Sequence, residues 1–376
     1  MTSTIFAVAM ALQTTTPWVD LPSETFAPAM ATEDARAYDF WRGEWTTNWR
    51  PRDPEGLDFV REGTQLRQHV YTMLGGKALV EFGEPLEPDP TIASGRGISI
   101  RYLDGETGEW IMVQNWPNAG FDGLALTDQL MGPALRNRVQ LYSHDAQRST
   151  PDAPVVRRYT FSDIHEGSFR WEGASTFDGG TSWQTWTIID LDRIATHAAP
   201  VNASTGWPGQ HGDLLCPDQP HGAFDGLAGN WTVTLTAPDG TATTGRFEAA
   251  RMLDGCAVGG LMMMDGHETL LIWSWSPILQ HWVQFSLTDR PGERHSYAIA
   301  RAGGEGADFH TAPDLVIASY QANFYDGFRT FIPSALARWR WSSMTDDRVT
   351  IDAETRLDSE ADWSATGTYT LTRLTD

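Results

Sequence analysis

Polar side chains that share one face of a predicted strand are the first candidates for chemistry in this chain. Arg67, His69 and Tyr71 occupy alternate positions of the segment Gln65–Thr72 and therefore project from the same side of an extended backbone. An arginine can hold an anionic or carbonyl oxygen while a nearby histidine or tyrosine transfers a proton, so this trio predicts general acid–base catalysis. The competing interpretation is a solvated strand face, and one strand alone does not decide between the two.

A second candidate set lies further along the chain and consists of Arg101, Gln114, Trp116 and Glu172. Gln114 and Trp116 share one face of their predicted strand, whereas Glu172 is on the face opposite to Trp171. Either the aromatic face or the polar face of these strands points into the protein. The first three residues are therefore predicted to bind a ligand, and Glu172 is predicted to act with the catalytic trio.

The second half of the chain has its own ligand-binding candidates, which are Arg246, Glu248, Trp273 and Trp275. When the two halves are aligned, an arginine is kept at the position of Arg67, while glutamate replaces His69 and tryptophan replaces Arg101. The first half keeps the more complete polar set. We therefore expect one functional pocket per chain, in the first half, rather than two equivalent pockets.

Residue spacing indicates that neither a metal nor an organic cofactor is needed. The two cysteines, Cys216 and Cys256, cannot complete a zinc cage, and no CxxC or HExxH motif occurs. The connecting segment also carries His211, Asp213 and His221, but its irregular Pro and Gly spacing supplies no rigid frame for a metal. No glycine-rich loop has the strand-turn-helix setting that phosphate binding needs. A disulfide between the two cysteines is left open.

The elements that must position the candidate residues occur twice. Asp39–Trp45 opens the first half, Asp225–Trp231 opens the second with Asp, Gly and Trp at the same spacing, and a Met-Leu-x-Gly turn follows each. Residues 155–194 align with residues 335–374 at a constant offset and without a gap. A unit of roughly 150–160 residues is too long for a solenoid repeat and right for a domain. The sequence thus predicts a tandem duplication with an N-terminal leader or arm, a first barrel, a linker and a second barrel at residues 1–35, 36–195, 196–222 and 223–376.

Short segments with alternating character, rich in β-branched and aromatic residues and separated by Gly-containing turns, predict an all-β fold. Helical periodicity is almost absent, apart from a short helix leading into Trp41 and Trp45. About nine antiparallel strands per unit suit an up-and-down barrel, which removes its own sheet edges. The strands predicted for the first unit are Trp45–Arg50, Gln65–Thr72, Ala78–Glu81, Gly97–Leu103, Trp110–Trp116, Arg138–Tyr142, Val155–Asp163, Ser168–Phe177 and Trp183–Leu191.

Four elements of the first unit follow a common pattern, namely Gly43-x-Trp45, Met73-Leu74-Gly75-Gly76, the hairpin Tyr102–Trp110, and Asp178-Gly179-Gly180-x-x-Trp183 closing on Arg193. Together they cover most of residues 38–194 and resemble a bacterial family of lipocalin-like domains of unknown function, within the calycin group of barrels. The resemblance implies roughly eight to ten antiparallel strands around an apolar cavity, and it transfers no catalytic residue. The second unit departs from the pattern at 274–277 and 358–360, which implies a different pocket.

Composition narrows the range of partners. The chain has 376 residues, 41% of them hydrophobic, and 27 Lys+Arg against 49 Asp+Glu give a net charge of −22, which disfavours nucleic acid and anionic membranes. No segment approaches the roughly 20 apolar residues that span a bilayer. Residues 1–13 resemble the end of a signal peptide without its positive start, so we expect a periplasmic or exported protein if they are a truncated leader, and a cytoplasmic one otherwise. A homodimer is left open.

These observations predict two tandem lipocalin-like antiparallel β-barrels that bind a small apolar or aromatic molecule. The alternative is a metal- and cofactor-independent lyase, isomerase or cyclase that moves a proton with an arginine and a His, Tyr or Glu inside a barrel. A third alternative is a structural or interaction module. A filled barrel would favour the module and an apolar cavity would favour binding, whereas a cavity with a buried arginine and an acid–base partner would favour the enzyme.

Overall fold

The computed structural model shows an all-β protein, and the predicted fold class is confirmed. It describes residues 37–53, 58–61, 63–86, 97–104, 108–116, 130–132, 134–135, 138–144, 155–198, 221–253, 257–276, 281–290, 296–300, 315–320, 333–356 and 362–374. Across these ranges, no helix is both long enough and apolar enough to cross a membrane.

The first unit is one antiparallel sheet of eleven strands that curls into a barrel. A 3-10 helix, Asp39–Trp41, precedes it, and a second 3-10 helix, Leu74–Gly76, joins β2 to β3. The strand order is β6-β5-β4-β3-β2-β1-β11-β10-β9-β8-β7, and β6 also pairs with β8, which brings the two ends of the sheet together. The strands are β1 (Gly43–Pro51), β2 (Thr64–Met73), β3 (Ala78–Pro85), β4 (Gly97–Leu103), β5 (Trp110–Asn115), β6 (Leu130–Gly132), β7 (Ala134–Leu135), β8 (Arg138–His144), β9 (Val156–Ser162), β10 (Ser168–Thr176) and β11 (Gln184–Ala195).

The second unit is a closed barrel in which each strand pairs with its neighbours in chain order and the last strand pairs with the first. A 3-10 helix, His221–Leu227, precedes it, as a 3-10 helix precedes the first unit. Its ten strands are β12 (Gly229–Thr236), β13 (Ala242–Met252), β14 (Ala257–Met264), β15 (His267–Ser276), β16 (His281–Thr288), β17 (Ser296–Ala300), β18 (Leu315–Tyr320), β19 (Pro333–Met344), β20 (Arg348–Arg356) and β21 (Ser364–Arg373).

The nine strands predicted for the first unit correspond to β1–β5 and β8–β11. β6 and β7 were not predicted, because strands of three and two residues are too short to show alternation. The alignment of 155–194 with 335–374 also agrees with the strand pairing. β10 pairs with β11 as β20 pairs with β21, and a bulge follows Gly173 in the first pair and Ala353 in the second, at the aligned position.

Each barrel is closed at one end by the same contact. The indole Nε1 of Trp45 donates to the carbonyl of Trp41 at 2.7 Å, and the Arg193 guanidinium lies 4.0 Å above the Trp45 ring. In the second barrel Arg373 lies 4.1 Å above Trp231. Both guanidinium groups also donate to carbonyl oxygens at the end of the preceding 3-10 helix. The last strand of each barrel is thus tied to its first turn by a cation–π contact and charged hydrogen bonds.

The outer faces of β2–β5 pack against the outer faces of β13–β16, and we call this contact the seam. Its buried side chains include Tyr71, Met73, Val80, Phe82, Ile98, Ile100 and Tyr102 from the first unit and Met252, Leu261, Leu270, Ile272, Val283, Phe285 and Leu287 from the second. Lys77, the only lysine of the chain, donates from Nζ to the carbonyls of Thr288 at 2.7 Å and Arg290 at 3.0 Å. Several strands of the two barrels are therefore apolar on both faces.

The seam also holds a carboxylate whose titration should affect stability. The backbone N–H of Gly75 donates to Glu268 at 3.1 Å, yet burial raises the pKa of the Glu268 carboxyl above its usual range, with that N–H acting in the opposite direction. The folded protein therefore binds this proton more tightly than the unfolded chain does. Glu268 should contribute stability below its unfolded-state pKa and lose that contribution as pH rises through its folded-state pKa.

We expect Glu268→Gln to flatten this part of the pH profile, because an amide does not titrate. The measurement is the free energy of unfolding in urea at intervals between about pH 4 and pH 7, the range that a raised glutamate pKa spans. Glu172→Gln, on the outer face of β10, is the control and should leave the Glu268 contribution in place. A Glu268→Gln profile parallel to that of the wild type would contradict the assignment.

Candidate functional site

The interior of the first barrel contains a partly open cavity of about 540 Å³, counted to its opening. Aromatic side chains form much of its wall, and they are Trp41, Trp49, Trp116, Tyr159, Trp171 and Trp186. Five polar side chains also line it, which are Gln68, Glu81, Ser99, Arg101 and Gln114. An apolar cavity with a small number of polar groups is the usual form of a small-molecule site.

Strand alternation decides which residues reach this cavity. On β2, Leu66 and Gln68 line the cavity and Val70 belongs to the barrel core, so the face between them is the outer one. On β5, the face that carries Gln114 points inward, with Trp116 directly after the strand on the same side. Inward side chains of adjacent strands therefore meet in the barrel although they are far apart in sequence.

A buried ion pair forms part of the cavity wall. Nη2 of Arg101 donates to Oε2 of Glu81 at 2.7 Å, and the two residues are only 1% and 2% exposed. The Arg101 guanidinium carbon lies 3.4 Å from the centre of the Trp41 ring, a close cation–π contact. Burial lowers the pKa of Arg101, and the charge of Glu81 raises it in turn. Removing either partner would leave the other charge buried and uncompensated.

The hydrogen-bonding capacity of Arg101 is not used up by Glu81. Its Nε and Nη1 are buried and have no hydrogen-bond partner in the part of the chain that the structure describes. The Tyr38 hydroxyl is close enough for each group to act on the pKa of the other, and burial raises the pKa of Tyr38 while the charge of Arg101 lowers it. Buried donors without an acceptor are costly, so this corner of the cavity favours a bound acceptor group.

Two glycines allow indole rings to lie flat against the cavity wall. A side chain at Gly97 would collide with the Trp116 ring, and a side chain at Gly173 would collide with the Trp186 ring. Trp116 Nε1 donates to Ser99 Oγ at 3.1 Å, which orients its ring. Flat, fixed aromatic surfaces of this kind suit a planar or bulky apolar ligand.

The structure brings Arg101, Gln114 and Trp116 together at the cavity, and it places the catalytic trio elsewhere. Arg67 and His69 lie on the outer face of β2 together with Tyr71, which is buried in the seam. They do not line the cavity, because Leu66 and Gln68 take the inward positions of this strand. His69 Nε2 lies 2.8 Å from Glu84 Oε1, and its Nδ1 lies 3.6 Å from Glu44 Oε1.

Glu172 also lies outside the cavity. Its neighbours on β10, Phe169 and Trp171, point inward and occupy the barrel core and the cavity wall. Period-two alternation then directs Glu172 to the outer face. The aromatic face of β10 is therefore the inner one.

The second barrel has a smaller cavity of about 390 Å³ with a different lining. Trp273 lines it together with aliphatic and aromatic side chains, and no charged residue is among them. Arg246 and Glu248 lie on the outer face of β13, because Phe247 between them is in the core. Burial raises the pKa of Glu248, and Arg246 lowers it. The side chain of Trp275 is outside the part that the structure describes.

The polar cluster of the first barrel is replaced as a unit in the second. Leu79 of β3 pairs with Arg101, and Val258 of β14 pairs with Trp273, so tryptophan stands where the arginine would be. The same register places Gly260 at the position of Glu81. Phe224 precedes Trp231 at the spacing at which Tyr38 precedes Trp45, and its ring stacks on Trp273 at 5.6 Å. The sets Tyr38, Glu81, Arg101 and Phe224, Gly260, Trp273 thus fill equivalent space with opposite polarity.

Sequence reasoning missed Glu81 and Tyr38. Glu81 is a single charge in an otherwise apolar strand, Ala78–Phe82, and such a charge could have been recognised as facing a partner across the sheet. The joint loss of Tyr38, Glu81 and Arg101 in the second half is the stronger signal, because residues that change together often touch.

No cluster of three or more His, Cys, Asp or Glu side chains suited to a metal occurs within the described ranges. His211, Asp213, Cys216 and Cys256 lie outside those ranges, and of His221 only the backbone is described.

Comparison with known proteins identifies no family. No protein-family model and no curated protein matches the chain. Among solved structures, a protein of unknown function of the DUF3598 family from Nostoc punctiforme aligns over 91% of this chain and 100% of its own, at 10% identity and a TM-score of 0.25. A mutant of the vaccine antigen transferrin binding protein B from Haemophilus parasuis aligns over 88% and 75%, at 7% identity and a TM-score of 0.14. Scores this low carry no argument, so the site rests on its own geometry.

Proposed function

We propose that the first barrel, within residues 36–195, binds a small apolar or aromatic molecule and holds one polar group of it at Arg101. The observation that carries this proposal is a fully buried arginine with unused donors in the wall of an aromatic cavity. Trp116 and Gln114 contribute to the same wall. The chain is then a tandem duplication of a lipocalin-like domain in which the second unit, residues 223–376, has exchanged the polar cluster for an apolar one.

A titration with a small aromatic ketone tests the proposal directly. We expect 2-acetylnaphthalene to quench the fluorescence of the cavity tryptophans in a saturable way with one site per chain. Gly97→Ala should weaken binding by about tenfold or more, because the new methyl group pushes the Trp116 ring into the cavity.

The matched control lies in the second barrel. A side chain at Gly260 would collide with Phe247, so Gly260→Ala should disturb that cavity and leave ketone binding unchanged. Saturable binding that survives Gly97→Ala, or that Gly260→Ala weakens to the same extent, would place the ligand elsewhere. Isothermal titration calorimetry gives the stoichiometry independently.

The second candidate function is a cofactor-independent lyase or isomerase in the same cavity. It is favoured by the contact of Glu81 with Arg101, which places a carboxylate beside a group able to hold a developing oxyanion. Glu81 would then take a proton from the carbon next to a substrate carbonyl. Exchange of the methyl protons of 2-acetylnaphthalene in deuterated buffer tests this, and exchange that Glu81→Gln does not slow would exclude Glu81 as the base.

A further inference from the structure

We infer that the polar group received at Arg101 is a neutral hydrogen-bond acceptor, such as a ketone, ester or amide carbonyl, and not a carboxylate or phosphate. This inference rests on the proposed function, because it assumes that the cavity of the first barrel is the binding site. It narrows the ligand class from the charges and donors that surround one buried guanidinium.

Charge balance is the first argument. Arg101 and Glu81 carry opposite charges and contact each other at 2.7 Å, with both side chains 2% exposed. Among the residues that line the cavity, Arg101 is the only cation. The positive charge that would receive an anion is therefore already balanced. An anionic ligand would lose its hydration and leave an excess negative charge beside the Glu81 carboxylate, which is unfavourable at low dielectric.

Hydrogen-bond polarity is the second argument. A guanidinium group can only donate, and Nε and Nη1 of Arg101 have no acceptor within the described residues. The nearby Tyr38 hydroxyl can also donate. A ligand must therefore bring an acceptor, and a purely hydrocarbon ligand would leave these donors unpaired.

The remaining surroundings point the same way. The chain has a net charge of −22, so its long-range field repels anions before they reach the cavity. Trp41 covers one face of the Arg101 guanidinium at 3.4 Å and leaves its edge for hydrogen bonds. A carbonyl oxygen attached to a flat apolar body fits both the charge and the walls of this cavity.

Three naphthalene probes of similar shape separate the alternatives. They are 2-acetylnaphthalene, which brings a neutral acceptor, 2-naphthoate, which brings an anion, and 2-ethylnaphthalene, which brings neither. By tryptophan fluorescence near pH 7, we expect the ketone to bind at least about tenfold more tightly than either of the others.

Naphthoate binding as tight as the ketone, or tighter, would overturn this inference and leave the proposed function standing. Equal binding of 2-ethylnaphthalene would also overturn it, because the polar anchor would then contribute nothing. Failure of all three probes to bind would overturn the proposed function and this inference with it.

Neutralising Glu81 provides the sharper test, because it should reverse the preference. In Glu81→Gln the arginine charge is no longer balanced, so naphthoate should gain about tenfold in affinity while the ketone changes little. Glu172→Gln removes a carboxylate from the outer face of the same barrel and should leave the order of the probes unchanged. An unchanged order in folded Glu81→Gln would contradict the charge-balance argument, and if that variant does not fold, the wild-type comparison decides alone.

Discussion

Replacing Arg101 by Leu should lower the free energy of unfolding by about 3–5 kcal/mol, because it leaves the Glu81 carboxylate buried without its partner. Urea unfolding of the wild type and the variant at pH 7 measures the difference. Arg67→Leu is the matched control, since Arg67 lies on the outer face of β2 and its loss should cost much less. A loss from Arg101→Leu no larger than that from Arg67→Leu would show that the ion pair is unimportant for the fold.

The second barrel indicates how the loss can be recovered. It packs Phe224, Gly260 and Trp273 where the first packs a tyrosine, a glutamate and an arginine. The triple variant Tyr38→Phe, Glu81→Gly, Arg101→Trp should therefore be considerably more stable than Arg101→Leu, while binding of 2-acetylnaphthalene is lost. Replacing a buried ion pair by well-packed apolar groups is often neutral or stabilising. A triple variant as unstable as the single one would show that the two sites are not interchangeable.

Replacing Arg193 by Met should lower the free energy of unfolding by about 2–4 kcal/mol, because the change removes charged hydrogen bonds to the turn before β1 and the cation–π contact with Trp45. Arg373→Met removes the same contacts from the second barrel and should have a similar effect on stability. Urea unfolding of both variants provides the comparison.

Ligand binding should separate these two variants. Trp45 holds the carbonyl of Trp41, and Trp41 covers the guanidinium of Arg101. We therefore expect Arg193→Met to weaken binding of 2-acetylnaphthalene by several-fold, whereas Arg373→Met leaves it close to the wild-type value. Equal weakening by both changes would indicate that the second barrel supports the site through the seam.

Which side of β2 faces inward could not be predicted from its own residues. A strand with one solvated face shows a clear alternation of polar and apolar side chains, and that alternation identifies the core face. On β2 the outer face carries Tyr71 and Met73 into the seam, so the apolar signal occurs on both faces. Arg67, His69 and Tyr71 were grouped correctly as one face, but nothing on the strand marked that face as the outer one.

The ion pair was hidden for a related reason. Arg101 and Glu81 lie on neighbouring strands, and the pairing of Ser99 with Glu81 and of Arg101 with Leu79 brings them diagonally together. Strand register depends on the length and geometry of the connection as well as on residue pattern. The sequence showed that Arg101 had become Trp273 in the second half, and only the register showed that Glu81 had changed with it.

The sequence by itself determined the all-β class, the positions of the longer strands and the correspondence between residues 155–194 and 335–374, because period-two alternation and turn residues are local properties of the chain. The tertiary structure alone decided which faces enclose the cavity, that the two barrels bury their outer faces against each other, and that Tyr38, Glu81 and Arg101 meet. Those features depend on contacts between distant strands, and a residue pattern along one strand contains no information about what covers it.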